Sequence, residues 1–136
     1  MDVIEFIGRV MFAILFLQNG YAHIRHRAGM VGFAKSFGTP MAEISVPATG
    51  VLMLVGGALI ILGVWVDLAG FALFLFVVAA GLFAHRYWEE ADYPTRAGQQ
   101  AQFMKNMAIA GACLFLAADF NQFSDGMSIT LGGPFF

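Results

Sequence analysis

Five residues in this 136-residue chain are suited to hold a small polar group: Asn19, His23, His85, Lys105 and Asn106. An imidazole exchanges protons near neutral pH and donates or accepts a hydrogen bond. A carboxamide offers both donors and an acceptor, and an ammonium offers three donors and a charge. Together they point to a ligand site with proton exchange; an ordinary polar interface with helix ends satisfied by amides is the competing reading. No metal site is expected, because two histidines without carboxylate company fall short of a ligand set. Both histidines also lie near helix ends, which disfavours a bis-histidine haem.

A second constellation is ionic. Arg9 and His23 are separated by about four helical turns, and share a helix face with Phe12, Phe16 and Asn19. Lys105 and Asp119 repeat that spacing. An Arg9–Asp119 pair would clamp the first helix to the last. The alternatives are an Arg9 that pairs with Glu5 one turn away or snorkels, and an Arg9 that receives an anionic group. Cys113 is the only cysteine, so neither an internal disulfide nor a CxxC redox pair is available, and redox chemistry would need a bound cofactor or a partner.

The elements that must position these groups are membrane spans. The chain is 60% hydrophobic and 12% charged, with mean hydropathy +0.76, against about 45–50% and about 25% in soluble domains. No charged residue occurs anywhere between Glu43 and Asp67, and none from Leu68 to Ala84. About 20 residues of helix match a hydrocarbon core of about 30 Å, and helices satisfy their own backbone groups there. The expected fold is therefore all-α: one domain over 1–136, a four-helix transmembrane bundle with antiparallel neighbours and short loops. The spans are expected at about 3–22, 44–64, 68–87 and 103–120.

The first span is the most polar, with Glu5, Arg9, Gln18 and Asn19. Its acidic start, with no A-x-A pattern closing the run, argues against a cleavable signal peptide. A short amphipathic interfacial helix is expected over Met30 to Phe37, ahead of the Gly38-Thr39-Pro40 turn. Pro47 is placed in the first turn of the second span, where its missing N–H does least harm. Ten Leu, Val and Phe residues in the third span supply roughly −3 to −6 kcal/mol towards insertion. The stretch from Glu89 to Gln102 reads as a solvated loop. The uncharged run of the fourth span is short, lying between Lys105 and Asp119. The tail from Asn121 to Phe136 is expected to pack on the bundle or to be a short extended piece.

Four spans put both termini and the tight turn near Asp67 on one side of the membrane. The other side carries Arg25, Arg27, Lys35, Arg86, Arg96 and Lys105, against Arg9 alone on the terminal side. The positive-inside rule then predicts cytoplasmic connections and non-cytoplasmic termini. Antiparallel order brings Asn19 and His23, His85, and Lys105 with Asn106 to the same inner end, where bundles build sites from facing side chains. A net charge of −2 leaves no basic field for nucleic acid.

The ordered series Gly8-Arg9, Phe16-Leu17, Gly20, Gly32-Phe33-Ala34, Gly38-Thr39-Pro40, Gly56-Gly57, Leu62-Gly63, His85, Phe103-Met104-Lys105-Asn106 and Ala110-Gly111 resembles the DoxX family of small bacterial four-helix membrane proteins over nearly the whole chain. The family commonly has Lys where His23 stands, so a titratable imidazole replaces a fixed charge. The resemblance implies a multi-pass protein of the bacterial inner membrane, and a family named for a subunit of a thiosulfate:quinone oxidoreductase.

On that basis the expected function is a redox- or quinone-associated membrane subunit with a polar site near the cytoplasmic face. His23 or His85 would exchange protons, and Asn19 or Asn106 would donate hydrogen bonds. No self-sufficient catalytic motif is present, and quinone is the one cofactor suggested. The expected partners are the lipid bilayer, a membrane or peripheral redox protein, and a second copy of the chain. The alternatives are a non-catalytic membrane scaffold and, behind it, a small-solute or lipid carrier.

Overall fold

The computed structural model describes residues 2–123 and 130–136. Its elements are α1 (Asp2–Arg25), α2 (Arg27–Ser36), α3 (Ala42–Leu62), α4 (Val66–Ala84), a single 3-10 turn at Tyr87–Glu89, and α5 (Tyr93–Phe123). No strand occurs among the described residues. Four helices (α1, α3, α4 and α5) are long and apolar enough to cross a membrane, and α2 is the short helix between the first two.

Two tight helix pairs build the bundle: α1 lies against α3, and α4 against α5. The approach of α1 to α3 depends on Gly20, because a Cβ there would come within 2.8 Å of the Gly50 carbonyl oxygen. Small residues of this kind let helices approach where lipid gives no hydrophobic drive to association. The buried side chains Phe16, Met53, Ile60, Leu73, Cys113 and Phe120 fill the space between the pairs.

The turn joining α3 to α4 has a local cause. Gly63 adopts φ +64°; its N–H reaches the Ile60 oxygen and that of Val64 reaches Leu59, the paired bonds of a Schellman ending. The tail then closes over this turn. Leu131 N–H donates to Leu62 O at 3.0 Å, Gly132 N–H to Gly63 O at 3.3 Å, and Trp65 N–H to Gly133 O at 3.3 Å. Residues 130–136 of the expected tail pack on the bundle, whereas its first residues, 121–123, continue α5; residues 124–129 lie outside the described residues.

All four expected spans shift at their ends, and two of these shifts change the reading. The stretch from Glu89 to Gln102 is mostly helix, since α5 begins at Tyr93. Asp92 caps it: Thr95 N–H donates to Asp92 Oδ2 at 3.1 Å and the Thr95 hydroxyl at 2.8 Å. Pro94 sits in the first turn, where no intrahelical N–H is required. Polar composition suggested a loop, but this cap and the packing of α5 on α4 outweigh it. The second difference is that α3 starts at Ala42, so Pro47 lies in its second turn. Proline cannot donate to the carbonyl four residues back, which is that of Glu43. Arg27 Nη2 donates to the Glu43 oxygen instead, at 2.8 Å. The proline's missing bond thus becomes the anchor for the start of α2.

A roofed amphiphilic cavity as the candidate functional site

One end of the bundle encloses a cavity of about 430 Å³, within the range of about 300–1,000 Å³ typical of small-molecule sites. It lies at the end where α1 finishes, α3 begins and α4 finishes. α1 supplies Leu15, Phe16, Asn19 and His23; α3 supplies Ser45, Val46, Thr49 and Met53; α4 supplies Phe76, Val77, Ala79, Ala80, Phe83 and Ala84, with His85 just past its end; α5 supplies Lys105, Asn106 and Ile109. Met30, Phe33 and Ala34 of α2 form a roof, with Phe37, Thr39 and Pro40 beside it. All five residues singled out by sequence, Asn19, His23, His85, Lys105 and Asn106, line this one space.

The roof is fastened at both ends. Arg27 holds its start as described, and Lys35 pairs with Glu43. At the far end Arg86 Nη2 donates to the Phe37 oxygen, while Arg86 Nε donates to Phe83 O at 3.2 Å. One guanidinium therefore ties the last residues of α4 to the end of α2.

Hydrogen bonding fixes the chemistry that each polar group can offer. His23 Nδ1 lies 2.8 Å from the backbone oxygen of Asn19. A carbonyl only accepts, so Nδ1 carries the proton and Nε2 is left with its lone pair. His85 Nδ1 lies 2.9 Å from Gln99 Oε1, with the same consequence. Asn19 Nδ2 donates to Leu15 O at 2.7 Å, which leaves Oδ1 as its natural offering; the donor role expected of Asn19 is partly spent on its own helix. The Thr49 hydroxyl donates to Ser45 O at 2.8 Å, and its oxygen can still accept. Lys105 Nζ donates to Gln102 Oε1. Ser45 Oγ is buried, with no hydrogen-bond partner among the described residues. A buried hydroxyl left without a partner costs free energy.

Ser45, Thr49 and Gln99 were not singled out by sequence. Ser45 and Thr49 sit one helical turn apart, a spacing that marks one face but not which face. Gln99 was hidden in the supposed loop; the Asp92-x-Pro94-Thr95 cap is the signal that would have placed it on α5. No cluster of three or more His, Cys, Asp or Glu suited to a metal ion occurs among the described residues.

Of the ionic constellation, His23 and Lys105 line the cavity, while Arg9 sits at the opposite end. Arg9 is buried, only 3% exposed. Its Nε lies 4.0 Å from Glu5 Oε1, its guanidinium carbon 5.8 Å from the Phe6 ring centre, and it packs against Gly63. Among the ion pairs of the described residues its carboxylate is Glu5, not Asp119. The reason is architectural: α1 pairs with α3 and α5 with α4, so no tight approach joins Arg9's helix to Asp119's. The buried acid at this end is Asp67, 1% exposed. It accepts the N–H of Phe135 at 2.9 and 2.8 Å and that of Phe136 at 2.9 Å.

These features define a class: a multi-pass four-helix membrane protein with a roofed cavity at one end, apolar for most of its wall and polar at a few positions. Comparison narrows it. The sequence pattern described as DoxX matches residues 4–86, and the chain belongs to the DoxX family. A relative is the inner membrane protein YphA of Escherichia coli (strain K12), 26% identical over 118 residues that cover 85% of this chain and 81% of that protein. No solved structure matches significantly. The family match ends at Arg86, so α1 to α4 carry it, and Gln99, Lys105 and Asn106 lie outside it.

Proposed function

We propose that this chain is an inner-membrane protein whose cavity holds the ring of a quinone, as the membrane subunit of a redox system. The observation that carries this reading is the pair of imidazoles on the cavity wall, each held through Nδ1 with Nε2 left to face a ligand. The wall fits such a group: aromatic and aliphatic side chains for the ring, and the imidazoles of His23 and His85 for its oxygens. A quinone bound there supplies two-electron, two-proton chemistry. Protonated, His23 or His85 would donate to a ligand oxygen through Nε2; neutral, it would accept a proton from a ligand hydroxyl at the same atom. Lys105, exposed beside the cavity, adds positive charge that favours a negatively charged oxygen. Among the described residues no metal-ligating cluster occurs, and the one thiol, Cys113, is buried. Electrons would therefore come from a membrane or peripheral redox partner.

The inner-membrane placement is supported by the name of the relative, an inner membrane protein. The six-to-one distribution of Lys and Arg supports cytoplasmic connections, with the cavity at the cytoplasmic face and both termini outside. The test is to purify the protein gently, analyse retained small molecules by mass spectrometry, and titrate decylubiquinone into ligand-free protein. Retained quinone is expected, with saturable binding weakened about tenfold by His85→Ala, the worth of one hydrogen bond. Absence of both retention and saturable binding would overturn the proposal.

A specific observation favours a second reading, a membrane scaffold. Ala108, Gly111 and Ala112 are exposed on the lipid-facing side of α5, and a Cβ at Gly111 would meet nothing within 4 Å. Such a face suits close packing with another membrane helix, including one from a second copy. Gly111→Leu is expected to release a co-purifying partner under this reading and to leave quinone retention unchanged under the first.

A further inference from the structure

The cavity wall is uneven in a way that bears on what fills it. Two of its phenylalanines keep large accessible areas: Phe33 on the roof, 53% exposed, and Phe83 on α4, 43% exposed. The Arg86 guanidinium sets these two segments side by side, since it binds the carbonyls of Phe83 and Phe37 together. Phe33 in turn packs edge-on against Phe37, with ring centres 4.7 Å apart. Between them the α4 wall is Ala79, Ala80 and Ala84, small side chains that leave width. The result is a slot with phenylalanine sides and an alanine floor, continuous with the polar part of the cavity.

Position decides what such a slot meets. Phe83 lies within the last turn of a helix long enough to cross the hydrocarbon core, so an opening beside it would meet acyl chains. An aromatic opening there admits hydrocarbon and excludes ions, whose transfer from water into apolar surroundings is costly. The polar groups line the same space, and α2 lies over its end.

We infer that the slot between α2 and α4 receives a single hydrocarbon tail, so that the occupant of the cavity is a one-tailed amphiphile that enters from the bilayer with its polar ring inside. This rests on the reading of the cavity as a ligand site, and adds the chain and its route. It is independent of whether the ring is a quinone; an isoprenoid or a saturated chain would fit the same slot.

The test uses the full chain in phospholipid vesicles, with Thr49→Cys placing a thiol on the cavity wall. The unsubstituted chain, whose Cys113 is fully buried, gives the background. Labelling by N-decylmaleimide is compared with labelling by a sulfonated, membrane-impermeant maleimide supplied to both faces. The alkyl reagent is expected to label at least tenfold faster. Ala80→Phe, which fills the floor of the slot, is expected to slow it at least fivefold. Phe33→Ala, which widens the slot, is expected to quicken it, and serves alone should Ala80→Phe fail to fold. Equal labelling by the sulfonated reagent would mean that water reaches the cavity freely, and would overturn the inference. So would an alkyl rate indifferent to Ala80 and Phe33, which would place the entrance elsewhere, past Asn19 and Lys105 between α1 and α5. Failure of every quinone to bind, with the slot result intact, would strike only the redox reading.

Discussion

Gln99 accepts a hydrogen bond from Nδ1 of His85 at 2.9 Å, and so joins the end of α4 to the beginning of α5. This bond selects the tautomer of His85 and leaves its other nitrogen to interact with a ligand, as partners of functional histidines commonly do. Gln99→Leu is expected to weaken decylubiquinone binding about three- to tenfold while the helical circular-dichroism signal stays unchanged. Gln99→Glu, which keeps the acceptor, should restore binding. Equal loss in both variants would mean that Gln99 acts on the fold rather than on the imidazole.

Asp67 should matter for stability. Its carboxylate takes three hydrogen bonds from the tail in a site that is 1% exposed, and it stands in the first turn of α4, where negative charge is favourable. Asp67→Ala leaves the N–H groups of Phe135 and Phe136 without their acceptor. A loss of about 1–3 kcal/mol is expected, read as a lower melting temperature in detergent. Removing Phe135 and Phe136 instead should cost at least as much, because a buried carboxylate then loses its donors.

Gly63 is constrained twice. Its φ of +64° disfavours any residue with a Cβ, and that Cβ would collide with Arg9 Nη1. Gly63→Ala is expected to destabilise by about 2 kcal/mol or more. Gly111→Ala, where the same atom meets open space, should change the melting temperature little. Similar melting temperatures for the two variants would contradict the packing of Arg9 under the turn.

The start of α5 should respond to acid. The Thr95 N–H, and then its hydroxyl, hold the Asp92 carboxyl below its ordinary range. A lowered value in the folded state means that the cap stabilises above the unfolded value, and that this support is lost as pH falls through the folded value. Amide exchange across Thr95 and Arg96 is expected to quicken, relative to intrinsic rates, as pH drops below the ordinary carboxylate range. Asp92→Ala should show that faster exchange already at neutral pH, with no further acid step at these amides.

The membrane class, the four crossings and the short roof helix were legible because each depends on local composition. An uncharged run reaching from Glu43 to Asp67 has few folds open to it, and apolar length alone marks a span. The five candidate ligand residues were also legible as a group, because antiparallel order fixes which ends of helices meet. The long α5 was obscured by polar residues that face water along a helix as readily as along a loop, although its Asp92 cap was present in the sequence.

What sequence by itself determined is therefore depth: which residues lie at the level of lipid, and which at its edge. Lateral neighbours came only from the tertiary structure. Arg9 met Glu5 and Gly63 rather than Asp119, because backbone approach at Gly20 and Gly50 pairs α1 with α3. Asp67 found its donors half a chain away, at Phe135 and Phe136, in a tail whose composition names no partner. The length and position of apolar runs specify how far along the membrane normal a side chain sits. Which helix stands beside which depends on the fit of small and large residues across crossings, and that fit exists only once the bundle has closed.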